Sequence, residues 1–270
     1  MAIDLSAIKK TKGLDSPPMI CIHGTSGVGK TTFASQAPSP IFIQTEAGHG
    51  MLEIDTFHFG SEGIATSYEE VLEAVDSLLN NDHKYGTLVV DSIDHLEPLI
   101  WADLCHKNGW ANIDKAGYGA GYNAAAQEWR VFLKKLETLR QTKKMAIILI
   151  AHNQQKKIDD AEYGQLDKHD LKLHQKSSGI VAETVDCVFF AKHKITLRKE
   201  DKGFGQTRNK GIDTGERVLV TTGGPHYTAK NRYNLKGEIP LSWSDFWSAL
   251  QEAINPESTN SETKEKAAHG

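Results

Sequence analysis

Residues 19–32 read MICIHGTSGVGKTT, an apolar run that gives way to glycines and ends on a lysine and two threonines. Within it, Gly24-Thr25-Ser26-Gly27-Val28-Gly29-Lys30-Thr31 fits the eight-residue pattern GxxxxGK[ST], placed after a strand and at the opening of a helix. Glycines at 24, 27 and 29 let the backbone curl until successive N–H groups point inward at a polyphosphate. Lys30 would then reach the β- and γ-phosphates, and the Thr31 hydroxyl would ligate Mg²⁺. The helix N-terminus adds its dipole, so Gly24 through Thr32 form the candidate nucleotide contacts. A glycine-rich turn with an incidental lysine is the alternative, and the strand-then-helix context speaks against it.

About 60 residues further on, Thr87-Leu88-Val89-Val90-Asp91-Ser92 is a strand ending in an acid. Alone, Asp91 reads equally well as a helix cap. Paired with the glycine-rich loop, it reads as the carboxylate that holds the Mg²⁺ water shell beside Thr31.

Working outward, MICIH (19–23), IFIQT (41–45), TLVVD (87–91) and MAIILIA (145–151) are apolar on consecutive positions. Strands buried on both faces look like this, as in a parallel sheet covered by helices. Tyr68, Val71, Leu72, Val75, Leu78 and Leu79 mark one helix face, with a capping box offered by Ser67 and Glu70. Trp129, Phe132, Leu133, Leu136 and Leu139 mark a second helix, and Trp243, Phe246, Trp247, Leu250 and Ile254 a third, from Trp243 to Ile254. The alternation predicts a doubly wound, mainly parallel α/β sheet with right-handed crossovers. Strand runs around 186–191, 217–222 and 226–230 are expected to extend one edge in antiparallel fashion.

Composition sets bounds on this picture. The chain has 270 residues, 39% of them hydrophobic, which suits a sizeable α/β core. Its 31 Lys+Arg against 35 Asp+Glu give a net charge of −4, which argues against a wholesale polyanion binder of the histone kind. No apolar run reaches transmembrane length, and the N-terminus lacks a stretch of signal-peptide length. Cys21, Cys105 and Cys187 form no CxxC pair, and His152, His169, His174 and His193 show no metal-ligand spacing. These features predict a cytoplasmic protein without membrane contact. The expected organisation is a leader over 1–17, a core over 18–254 and a disordered tail over 255–270.

In order along the chain, these motifs resemble the RecA-like branch of P-loop ATPases. More closely they resemble the phage-type group of small RecA-core proteins that includes single-strand annealing proteins. The likeness spans about residues 18 to 248. It implies ATP and Mg²⁺ as cofactors and, if the chain is phage-encoded, the cytoplasm of a bacterial host. IFIQTEAGHG has the form in which RecA-like enzymes carry a catalytic glutamate, which matches Glu46. VVDSIDHL matches their metal-binding strand at Asp91. IAHNQQ resembles the strand ending in a γ-phosphate-sensing glutamine, matching Asn153 and Gln154. AKNRY resembles the basic pair lent to a neighbouring subunit's nucleotide, matching Lys230 and Arg232, and GYGAGY (117–122) is typical of the phage group.

The resemblance implies head-to-tail self-association, single-stranded DNA as ligand and, as a further partner, a single-strand-binding protein. DNA would lie on loops at about 105–122 and 155–178. The first interleaves Lys107 and Lys115 with Trp110, Tyr118 and Tyr122, cations beside aromatic faces. The second offers Lys156 and Lys157 but has a net charge near zero, and a third stretch, 192–217, is basic and glycine-bearing like a hairpin. Plain solvated loops are the competing reading of all three. Recombination or strand annealing is the expected task; the alternatives are a ring-forming helicase-like motor and a nucleotide-gated module that recruits replication proteins.

Overall fold

A computed structural model describes residues 16–48, 50–201 and 207–255. The leader and tail expectations fall almost wholly on residues outside these. Four strands, β1 (Met19–Gly24), β2 (Pro40–Gln44), β4 (Thr87–Asp91) and β5 (Ala146–Asp160), arise from the four apolar runs, β5 being buried as far as Ala151, with a short β3 (Asp55–Thr56) after β2. β1 pairs in parallel with β5, β5 with β4, β4 with β2 and β2 with β3. The strand that follows the metal-side acid in sequence therefore lies between that acid and the glycine-rich loop.

The other flank carries β7 (Cys187–Asp201), β8 (Thr207–Val220), β9 (Lys230–Asn231) and β10 (Glu238–Pro240). The main path through the sheet is β10-β8-β7-β1-β5-β4-β2-β3, with β9 paired to β7 beside it. Against the antiparallel expectation for the run at 186–191, β7 runs parallel to β1, pairing Ile20 with Cys187 through Gly24 with Ala191. On this flank β8, β9 and β10 pair antiparallel with their neighbours. The run at 226–230 is mostly irregular and enters the sheet only at β9, beside isolated bridges at Tyr227.

Alternation along each strand divides the core into two layers. Met19, Cys21, Ile41, Ile43, Leu88 and Val90 face one side. They pack on α2 (Tyr68–Asn80), α3 (Ile93–Asn108), α4 (Ala120–Lys143) and α5 (Gln175–Thr184). Ile20, Ile22, Phe42, Val89 and Ile148 face the other, against α1 (Lys30–Ser35) and α6 (Trp243–Ile254). α2 begins with the full capping box, Ser67 accepting from the Glu70 N–H while Glu70 reaches back, a device that contributes about 1 kcal/mol. α6 buries Trp243, Phe246 and Leu250, but Trp247 is 42% exposed and stacks on Trp243 instead of completing the stripe.

The two expected DNA loops are largely structured. Residues 105–108 end α3, a 3₁₀ turn spans Ile113–Ala116, and GYGAGY straddles the start of α4. The second is a hairpin: β5 runs on to Asp160 and pairs with β6 (Gly164–Leu171) from Asn153/Leu171 to Asp160/Gly164.

Candidate nucleotide-binding site

At the C-terminal end of β1 the backbone meets a constraint: a Cβ on Gly24 would overlap the carbonyl oxygen of Ala191 on β7. Gly29 has φ +105°, a left-handed conformation that side chains resist. The loop so formed opens into a cavity of about 390 Å³ lined by Ser26, Gly27, Gly29, Lys30, Thr31 and Thr32 on one side. Glu46, Asp91, His152 and Arg217 line the rest with Ala47, Gly48 and Leu52.

Lys30 is buried, and its Nζ donates to the carbonyls of Gly24 (2.9 Å) and Thr25 (3.0 Å). Burial pulls its pKa down, against the carboxylates of Asp91, Asp94 and Glu46, which favour its charge. The Thr31 hydroxyl donates to Asp91 Oδ2 at 2.8 Å, so the two expected metal-side groups lie together. Burial raises the Asp91 pKa, with the Thr31 hydrogen bond opposing it. A threonine hydroxyl and a carboxylate in contact are hard oxygen donors, the kind Mg²⁺ takes, so the residues present fit that ion.

Glu46 reaches the cavity because the end of β2 is tied to the end of β4. The Thr45 N–H donates to the Asp91 carbonyl (2.9 Å), its hydroxyl donates to the Ser92 carbonyl (2.6 Å) and the Ser92 N–H donates to that hydroxyl (3.0 Å). The Glu46 carboxylate then lies between two imidazoles, 3.2 Å from His95 Nδ1 and 3.7 Å from His152 Nδ1. Behind them sits Asp94, its side chain 1% exposed, accepting from the His152 N–H (2.9 Å) and ring (3.0 Å). Burial opposes ionisation of Asp94, but the His152 hydrogen bonds and charge outweigh it and hold the carboxyl at about 2. The same Asp94 bond raises the His152 pKa. Glu46, His95 and His152 bring ligand atoms within 4.8 Å of one another, a grouping that sequence spacing does not reveal.

The remaining expected site residues stand elsewhere. Gln154 does not line the cavity; its amide donates to the Leu171 and Leu173 carbonyls, and it is His152, earlier on the same strand face, that faces the phosphate loop. Asn153 points to the other face and bonds His169. Lys230 and Arg232 lie on the same side, and both are engaged by backbone carbonyls of their own chain. Lys230 Nζ donates to the carbonyls of Ala182, Glu183 and Val185, and Arg232 donates to those of Glu183 and Thr184, together closing the C-terminus of α5. β9 pairs with Cys187 and Val188, at the end of the sheet opposite the phosphate loop.

Among the expected DNA contacts, Tyr118 is fully exposed. Trp110 packs against the core, and Tyr122 stacks on His174 at 4.1 Å while its hydroxyl donates to Asp114. These aromatics form no common exposed platform, because two of them face inward. Lys107 pairs with Asp103, Lys156 with Asp170, while Lys115 and Lys157 are exposed.

A glycine-rich loop after β1, a threonine–aspartate pair and a central strand between them define a phosphate-loop nucleotide-binding protein. Residues 16–233 match the model of an AAA domain family, and the chain belongs to that family. No curated protein matches the chain. Among solved structures it is similar to the crystal structure of the RadB recombinase, with 15% identity over 85% of this chain and 90% of that one and a TM-score of 0.47. Among the described residues no helix is long and apolar enough to cross a membrane.

Proposed function

We propose that the protein is a Mg²⁺-dependent ATPase of the RecA-like kind, acting on single-stranded DNA in recombination or strand annealing. The observation that carries this reading is the convergence of Lys30, Thr31, Asp91 and Glu46 on one cavity. Thr31 and Asp91 would hold Mg²⁺, which would neutralise charge on the β- and γ-phosphates. Lys30 leaves the loop carbonyls for the phosphate oxygens, and loop N–H groups complete the cradle. Glu46, braced by His95 and His152, accepts a proton from the attacking water on the far side of the γ-phosphate.

The DNA side of the proposal rests on the β5–β6 hairpin with Lys157 and on Tyr118 at the exposed start of α4. Head-to-tail assembly is supported by the position of Arg232, half exposed at the opposite end of the sheet from the phosphate loop. A phage setting, DNA stimulation and a single-strand-binding partner belong to the same proposal. Hydrolysis tests it: the wild type should turn over ATP only with Mg²⁺ and faster with single strands. Glu46→Gln should keep nucleotide binding and lose hydrolysis by about 10²-fold or more. Turnover within a factor of two of wild type would move the base elsewhere.

A further inference from the structure

Arg217 ends the basic stretch 192–217 and belongs to no nucleotide-site motif, yet it lines the phosphate cavity. It lies on β8, opposite His193 of β7, some 190 residues from the glycine-rich loop in sequence. Its guanidinium nonetheless comes so close that a Cβ on Gly29 would sit 2.9 Å from Arg217 Nη1. That approach is fixed by packing. The Arg217 carbonyl accepts from the Leu241 N–H (2.9 Å), and Leu241 leads into α6. Trp243 and Phe246 of α6 contact Phe33 of α1, and the Trp243 N–H donates to the Gln36 side chain. The helix that follows the phosphate loop and the strand that carries Arg217 are thus joined through one apolar cluster.

Among the described residues the charge of Arg217 has no ion-pair partner, whereas neighbouring cations do. Lys192 pairs with Glu238 and Lys194 with Glu216, both at 2.8 Å. Among the described residues the Arg217 guanidinium has no carboxylate partner. A planar fork of N–H donors beside a loop built for phosphate is suited to bidentate contact with phosphate oxygens. Lys30, by contrast, supplies a point charge from inside the loop.

We propose that Arg217 is a nucleotide-contacting residue of its own chain, clamping the polyphosphate from outside the loop at Gly29. The inference rests on the phosphate-pocket reading and deepens it. In a loop of this pattern a contact at Gly29 would fall on the inner phosphates, so it is expected to serve nucleoside di- and triphosphates alike.

The test is equilibrium binding of a fluorescent ATP analogue and of ADP, with Mg²⁺, to the wild type, Arg217→Gln and Arg217→Lys. The expected result is a Kd raised about 10-fold or more for both nucleotides in Arg217→Gln, as for loss of a charge-assisted contact. Arg217→Lys should recover only part of that, because charge returns without the fork. Thermal melts without nucleotide should coincide for all three proteins, since the side chain is exposed. Arg217→Gln binding both nucleotides within twofold of wild type would overturn the proposal while leaving the pocket intact. A wild type that binds neither nucleotide would overturn the pocket reading, and this one with it.

Discussion

Asp94→Asn should cost stability in a way that can be calculated from its surroundings. The carboxylate is buried and accepts two hydrogen bonds from His152, with His95 at 3.6 Å and Lys172 at 3.7 Å. A carboxyl that ionises at about 2 in the fold and at 3.8 when free is favoured in its charged form by about 2 kcal/mol. Asparagine keeps the volume but removes the charge, so it should destabilise by about that amount at pH 7. Because the folded value is depressed, the contribution is complete above the free value of 3.8 and is lost as pH falls through 2. By pH 3 the gap between wild type and variant should shrink to roughly half. Urea denaturation at pH 7 and pH 3 measures both quantities. A variant within about 0.5 kcal/mol of wild type at pH 7, or a gap that does not narrow with acid, would refute the electrostatic account of this brace.

Two further outcomes follow from side-chain placement. Tyr118→Ala should weaken single-strand binding by about 1–3 kcal/mol, and Lys157→Ala should flatten its salt dependence, whereas Lys156→Ala, already paired with Asp170, should do less; anisotropy titrations at several salt concentrations separate these, and unchanged binding in the first two variants would remove DNA from this face. Arg232→Ala should bind nucleotide yet lose DNA-stimulated turnover, and mixing it with Lys30→Ala should restore part of the activity; a mixture that co-assembles and stays inactive would rule out a shared site.

The parts of the site that were legible in the sequence are those carried by short contiguous runs. β1 leading into Gly24–Thr32 and β4 ending at Asp91 each join a buried strand to the residues that follow its end, so local pattern places both strand and cavity-lining residues. The apolar runs that carry β1, β2, β4 and the start of β5 place Glu46 as well, since it follows β2 directly. The hairpin β5–β6 was hidden because KKIDDAEYGQLDKHD is charged on both strand faces, which reads as loop when burial is the signal. Gln154 matched a motif, but the continuing strand turned its amide to backbone carbonyls. His95, His152 and Arg217 join the site through pairings far apart in sequence, β4 beside β5 and α6 against α1, which no local pattern reports. The parallel β7 was misread because its run is short and followed by a polar hairpin, the look of an edge strand.

On the proposed function the glycine-rich loop holds a Mg²⁺-bound nucleoside triphosphate through Lys30. Calorimetric titration of a non-hydrolysable ATP analogue with Mg²⁺ into wild type and Lys30→Ala tests it most directly. Lys30 is buried against loop carbonyls, so a melting curve or circular dichroism spectrum should first establish that the variant is folded. The expected result is one site per chain in the wild type and an affinity lower by about 10-fold or more in Lys30→Ala, as for loss of a charged contact to phosphate. A folded Lys30→Ala protein that binds the analogue as tightly as wild type would contradict it.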